Sequence, residues 1–351
     1  MTTINEVLSA YDLDNDSTEI ESINTGLINS TWKIKTKEQD FILQKINHFV
    51  FKNPEAIASN VRLITDYLAG HFPEYLFVVP VQTKSKEEMV KTAENEYFRL
   101  APFIKNSHTI ATVEKPEQAY EAANQFGEFT NLLSGFPVDK LQITLPDFHN
   151  LTLRYQQFLE ALKSGSEKRL QESATLIDQV KANKNILETY ENILQNPSFK
   201  LRVTHHDTKI SNVLFDDNDK GICVIDLDTV MPGYFISDIG DMMRTYLSSA
   251  NEEEKDFSKI DLREEYFESI WNGYMSQMKN KLNTEEKKHF IYSGKFMIYM
   301  QALRFLNDHL NNDAYYGARY EGQNFVRAGN QMALLQRLIE KEKVLQEIID
   351  K

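Results

Sequence analysis

The chain of 351 residues carries 39 Lys and Arg against 52 Asp and Glu, a formal net charge of −13, and shows no concentrated basic block. That balance disfavours a nucleic-acid groove, which needs clustered cations to neutralise phosphates, and it favours solubility. A hydrophobic content of 41% with 21 Phe and 16 Tyr excludes a disordered chain and supplies a substantial core, in one large domain or two packed lobes.

The start, "MTTINEVLSAYDLDND", has neither the basic opening nor the apolar segment of a secretory signal. No stretch approaches eighteen uncharged apolar residues, so the expectation is a cytoplasmic enzyme or binding protein without a membrane partner. "TWKIKT" and "DFILQKI" read as strands that pair as a hairpin. A helix is predicted over "NPEAIASNVRLITDYLAGHF", with Asn53 as its cap and Pro54 at its first position. "LFVVPVQT", "EEMVKTAE" and "EYFRLAPFI" read as further short strands, completing a small sheet with one helix.

Beyond "PFIKNSHTI" the apolar residues recur three and four apart, in "EQAYEAANQFGEFTNLL", "LRYQQFLEALKSG", "EKRLQESATLIDQVKANKNILETYENIL" and from "EEYFESIWNGYMSQM" to the C-terminus. The expected architecture is therefore α+β, a small β-rich lobe over residues 1–103 and a large helical lobe over 104–351, joined near residues 101–107. The single cysteine, Cys223, lies in the apolar run "GICVIDL" and reads as core packing.

The chemistry concentrates in "VTHHDTKISNVLFDDNDKGICVIDLDTV". His205, Asp207 and Asn212 satisfy H-x-D-x-x-x-x-N, the spacing of a kinase catalytic loop, and "GICVIDLD" reads as a strand ending in Asp226. In phosphoryl transfer the Asp of such a loop accepts the hydroxyl proton, while the Asn and a following strand-end Asp hold metal. Turn capping would use the same residue types, but not a loop and a returning strand at this separation. Carboxylates gathered in one cleft repel one another without cations, which points to Mg²⁺. Lys209 stands two residues from the proposed base, within reach of a transferring phosphoryl group. No G-x-x-x-x-G-K-[ST] is present. "NTGLINSTWKI" offers instead Gly26 for close backbone approach and Asn29, Ser30 and Thr31 as small donors to the phosphates of ATP.

"HHDTKISNVLFD", "CVIDLDTVMPG" and "DIGDMMR" resemble the aminoglycoside phosphotransferase-like superfamily, and within it the N-acetylhexosamine 1-kinases; "GLINSTW", "FILQKIN", "VFKNPE", "FGEFTNLL", "DFHN", "LRFLNDHL" and "YEGQNFVRA" extend the likeness over residues 22 to 340. The resemblance implies a protein-kinase-like bilobal fold and transfer of the ATP γ-phosphoryl to the anomeric hydroxyl of an N-acetylated hexosamine. It makes Asp207 the base, Asn212 and Asp226 metal ligands, and Asp228 a further acidic group near metal or sugar. Arg304 falls in the sugar site, with Leu27 and Tyr246 beside it, and Phe103 and Ile104 of the connector meet the nucleotide. Two positions depart from the family pattern, Leu27 where a His is usual and Thr245 before Tyr246 where an aromatic is usual. The β-strand lysine that grips phosphate in protein kinases falls on Gln44, and Lys45 should face the other way because strand side chains alternate. Alternatives are a kinase of the same fold for another hexose, an aminoglycoside, choline or homoserine, and a nucleotide-binding pseudoenzyme. A protein kinase is disfavoured by the lack of an A-P-E segment.

Overall fold

The computed structural model describes residues 2–13, 18–23 and 28–351. Strands β1 (Glu19–Ile23), β2 (Ser30–Lys35), β3 (Phe41–Ile46), β4 (Val90–Lys91) and β5 (Tyr97–Pro102) form one antiparallel sheet in the order β1-β2-β3-β5-β4. Alternation gives the sheet two faces. Phe41, Leu43, Phe98 and Leu100 pack with Ile34 against Val7, Leu8 and Tyr11 from and just after helix α1 (Thr2–Ser9). The opposite face carries Gln44 and Arg99 and looks toward the helical lobe.

Helix α2 (Pro54–His71) follows β3, with Pro54 opening it and the Asn53 side chain accepting from the Ala56 N–H at 3.3 Å. Its buried stripe of Ile57, Val61, Ile64 and Leu68 belongs to the large core shared with the helical lobe, not to the cluster above the sheet. Asn60 pins it there, donating to the carbonyls of Gln142 and Val230 at 2.8 and 3.0 Å.

"LFVVPVQT" forms no strand. Only Val81 bridges to Leu100, its N–H donating at 2.8 Å, because Pro80 has no N–H to extend a ladder. The run beginning "EKRLQ" is also not one helix. After α3 (Pro116–Leu132) and α4 (Leu151–Ser164) it breaks into α5 (Glu167–Glu172), α6 (Ala174–Ala182) and α7 (Asn185–Gln195), interrupted at Ser173 and at Asn183, whose side chain turns back to the Gln179 carbonyl. Short strands β6 (Arg202–Thr204), β7 (Val213–Phe215), β8 (Gly221–Val224) and β9 (Met231–Gly233) pair as β6 with β9 and β7 with β8. Cys223 on β8 is fully buried and its thiol pushed up to about 12 by burial.

The helical lobe is completed by α8 (Phe235–Tyr246), α9 (Glu264–Met278), α10 (Thr284–Lys288), α11 (Phe290–Leu310), α12 (Gln323–Glu340) and α13 (Glu342–Ile349), with α11 central between α8, α12 and α4. Helices α3 and α9 lie close because Gly273 lets the Tyr120 carbonyl within 2.3 Å of where a Cβ would stand. Among the described residues no helix is long and apolar enough to cross a membrane.

Candidate active site

The loop from His205 to Asn212 is held from beneath by α8. One carboxylate oxygen of Asp238 accepts from the His205 N–H at 3.0 Å and the other from the His206 N–H at 2.7 Å. Asp241, one turn later, accepts from the Thr208 N–H at 2.8 Å. Burial pushes the Asp238 carboxyl up to about 7, opposed by the two backbone donors. His206 takes a left-handed backbone, φ 66°, and Asp226 another, φ 59°, the kind of locally unfavourable conformation that persists where surrounding bonds over-determine it. A Cβ on Gly233 would meet the His206 ring at 2.5 Å, so only glycine fits beneath it.

His205 is also fully buried. Its Nε2 lies 3.0 Å from the Ile225 carbonyl, which can only accept, so this nitrogen carries the proton. Burial lowers the pKa of both rings, that of His206 to about 4. They are neutral scaffolding under the loop.

Tyr246, assigned to the acceptor from the sequence, is fully buried, and its hydroxyl donates to the Thr208 carbonyl at 2.5 Å. It therefore supports the loop from behind, with its hydroxyl committed to that carbonyl. Thr245 bonds back to the Asp241 carbonyl at 2.7 Å. Tyr246→Phe should lower stability by about 1–2 kcal/mol, because the Thr208 carbonyl is left buried without its partner. Thermal unfolding checks this, and an unchanged melting temperature would show that the bond contributes nothing.

Above this scaffold stand the charged groups. Asp207 is half-buried; Lys209 Nζ lies 3.0 Å from its Oδ2, and Asn212 Nδ2 donates to the same oxygen at 3.0 Å. Burial lowers the Lys209 pKa, but the charge and hydrogen bond of Asp207 outweigh it and hold the ammonium above its ordinary range. Hairpin β7–β8 returns the chain so that the Ile225 N–H donates to the Asn212 carbonyl at 2.8 Å, setting Asp226 beside the loop. Asp226 differs from its neighbours. Among the described residues its carboxylate has no hydrogen-bond donor and no ion-pair partner, whereas Asp228 has both an ion pair with Arg99 and a hydrogen bond from Asn29 Nδ2 at 2.7 Å. Burial, then the charges of Asp228 and Asp207, push the Asp226 carboxyl up to about 7.

No group of three or more His, Cys, Asp or Glu among the described residues is placed to hold a metal alone. The donors nevertheless suit a hard divalent cation that keeps much of its shell from water and phosphate oxygens. Among the described residues Asp226 has no paired cation, and Asn212, whose Nδ2 is committed to Asp207, has no donor to its Oδ1. Asp228 is 2% exposed and already neutralised, so its carboxylate is turned toward the sheet.

On the nucleotide side, Gly26 and Leu27 lie outside the described residues. Asn29 bridges the lobes, donating to Asp228 and accepting from the Asn47 N–H at 2.9 Å. Thr31 and Gln44 are cross-strand partners on the cleft face; Ser30 pairs with Lys45 and so shares the opposite face. Lys45 is ion-paired with Glu96, as alternation requires. Phe103 and Ile104 leave β5 half-buried, with Lys33 Nζ 3.7 Å from the Phe103 ring centre.

On the acceptor side, rings lead away from the loop. His149 lies 5.2 Å from His206 and stacks on Phe148 at 4.3 Å, and the Arg304 guanidinium sits 5.6 Å from Phe148 and 5.4 Å from Tyr316. Arg304 opens into a cavity of about 350 Å³ lined also by Arg154, Asn307, Tyr315 and Tyr316. Arg304 bonds to Gln301 at 3.2 Å, and neither it nor Arg154 is ion-paired among the described residues. Burial, then the positive charge of Arg304, lowers the Arg154 pKa. Burial first, then neighbouring His206 and the guanidinium groups of Arg304, Arg244 and Arg154, hold the His149 pKa well below its ordinary value.

Sequence reasoning did not single out Arg99, Arg154, His149, Asp238 or Asp241. The two acids stand three residues apart in "DIGDMMR", a helix spacing that puts both on one face. Arg99 carried no local signal because its ion-pair partner Asp228 lies far along the chain, and Arg154, whose own bonds are to nearby Gln157 and Asp147, meets Arg304 only across the cavity.

The model of the phosphotransferase enzyme family matches residues 19–266. Among solved structures, a spectinomycin phosphotransferase in complex with ADP and spectinomycin superposes with a TM-score of 0.60 at 11% identity, over 97% of this chain and 98% of the other. An amicoumacin kinase in complex with AMP-PNP, Ca²⁺ and Ami gives 0.65 at 11%, over 96% and 93%. A choline kinase from Cryptosporidium parvum Iowa II gives 0.60 at 14%, over 99% and 97%. At these identities the likeness is one of fold, a small antiparallel lobe on a large helical one.

Proposed function

Since the chain belongs to the phosphotransferase enzyme family, we propose that it is an ATP-dependent small-molecule kinase that phosphorylates the anomeric hydroxyl of an N-acetylated hexosamine, giving a sugar 1-phosphate. The observation that supports kinase chemistry is the cluster itself. Asp207, Lys209, Asn212 and Asp226 stand together beneath the sheet, with one carboxylate provided with donors and one left without. In this reading Asp207 takes the proton of the attacking hydroxyl, and Lys209 faces the phosphoryl oxygens as a compact charge. Asn212 and Asp226 would hold Mg²⁺, which when bound offsets charge on the phosphate oxygens. A pseudoenzyme needs none of these groups together.

The acceptor is argued from charge. Arg154 and Arg304 face the same cavity without ion-pair partners among the described residues; of the two acids on its wall, Asp308 is committed to the N–H groups of Tyr315 and Tyr316 at 2.7 and 2.9 Å, and Glu160 is exposed at the solvent side. The two guanidinium groups disfavour an ammonium acceptor such as an aminoglycoside or choline at their end of the cavity and offer N–H donors to a polyol or an acetamide carbonyl. ADP release by the purified protein with Mg²⁺ and ATP, over N-acetylglucosamine, N-acetylgalactosamine, glucose, galactose, choline and an aminoglycoside, tests it. Turnover on the two N-acetylhexosamines is expected, and turnover confined to the cationic acceptors would overturn the sugar reading. Arg304→Ala should raise the acceptor KM about tenfold or more while the ATP KM stays within about twofold. An unchanged acceptor KM would remove Arg304 from the site.

A further inference from the structure

Across the cleft face of the sheet, Thr31 on β2, Gln44 on β3 and Arg99 on β5 form a row of cross-strand partners. The middle position, where the sequence leads one to expect a phosphate-gripping cation, is an uncharged amide. The cation stands one strand over. Arg99 donates from Nε and Nη2 to Gln44 Oε1 at 3.0 and 2.8 Å, and Nη1 pairs with Asp228 from the other lobe. The residue is 8% exposed and its guanidinium is held from both sides, which by count leaves one N–H on each Nη atom beyond these bonds.

The Asp228 carboxylate that Nη1 meets stands two residues from Asp226, which among the described residues has no hydrogen-bond donor or ion-pair partner. Lys209 is committed to Asp207 on the acceptor side, Lys45 to Glu96 on the opposite face, and Lys33 to Asp40 near the connector. Arg99 is ion-paired too, with Asp228, but its fork keeps N–H groups beyond that pair and the two bonds to Gln44, whereas each ammonium offers a single point of charge. A planar guanidinium seated on an amide carbonyl is also better suited to bridging two phosphate oxygens than an ammonium.

We propose that Arg99 binds the triphosphate of ATP, with Gln44 orienting its guanidinium, so that the phosphate-binding charge has moved from β3 to the partner position on β5. The assignment rests on the kinase reading and deepens it.

The test relocates the charge. Isothermal titration with MgATP and steady-state kinetics are carried out on Arg99→Gln, Arg99→Lys, Gln44→Lys and the double variant Gln44→Lys/Arg99→Gln. Arg99→Gln should weaken MgATP binding about tenfold or more while the acceptor KM moves less than about twofold, and the double variant should recover a substantial part of the loss. Arg99→Lys should fall between wild type and Arg99→Gln. MgATP affinity in Arg99→Gln within about twofold of wild type would overturn the proposal. So would an equal loss for both substrates without rescue by the returned charge, since that pattern belongs to a residue that only ties the lobes together through Asp228. Should Arg99→Gln not fold, Arg99→Lys decides: a fully wild-type MgATP affinity and KM rejects a role for the guanidinium fork. A wild-type protein that binds no MgATP would instead sink the kinase reading itself.

Discussion

Asp207→Asn is expected to lower kcat about a hundredfold or more while MgATP affinity stays within about twofold. The substitution keeps the size of the side chain and its Oδ2-side hydrogen bonds can be re-formed by an amide, so the loop, fixed by Asp238, Asp241 and Tyr246, has no reason to move. What is lost is a basic oxygen beside the attacking hydroxyl and the counter-charge of Lys209, 3.0 Å away. Lys209 should then lose the elevation of its pKa that Asp207 confers against burial. Single-turnover rates separate the chemical step from product release, and titration of MgATP separates it from binding. Near-normal turnover would remove Asp207 from the base role and leave the cluster as a binding site.

Much of this arrangement was legible in the chain. The loop spacing of H-x-D-x-x-x-x-N is local, and so is the strand before Asp226, although β8 stops at Val224 and Asp226 follows in a left-handed turn. Asn53 and Pro54 cap α2 for the same reason. Two kinds of feature were not legible. "LFVVPVQT" has strand composition, but whether it joins a sheet depends on Pro80 and on which edge is free, which composition does not encode. Tyr246 was assigned to the acceptor by its neighbourhood in the sequence, yet its hydroxyl turns inward to Thr208, an orientation set by the helix face that α8 presents to the loop. Gln44 was placed on the cleft face by alternation alone. Its partner Arg99 lies 55 residues on and became visible only with the register of β3 against β5.

Asp226→Asn should make the apo protein more stable and the enzyme about a hundredfold or more less active, because the same isolation that suits this carboxylate to a metal is costly without one. The sign follows from linkage. With the folded-state pKa pushed up to about 7 from an ordinary value of 3.8, the folded protein favours the protonated acid. The stability contributed by that form is fully present below the unfolded-state pKa and lost as pH rises through about 7. At pH 8 the wild-type carboxylate is ionised against Asp207 and Asp228, whereas the amide carries no charge. Of order 1–3 kcal/mol is relieved, a rise in melting temperature of about 2–5 °C. The gain should shrink as the scan is repeated toward pH 5, where the wild-type acid is protonated too. Saturating MgATP should reverse the order, raising the wild-type transition and leaving the variant's nearly where it was, since only the wild type presents the charge a cation needs. A variant no more stable than wild type at pH 8 would mean that Asp226 is already neutralised in the apo protein, and one stabilised by MgATP as strongly as wild type would place the metal on other groups.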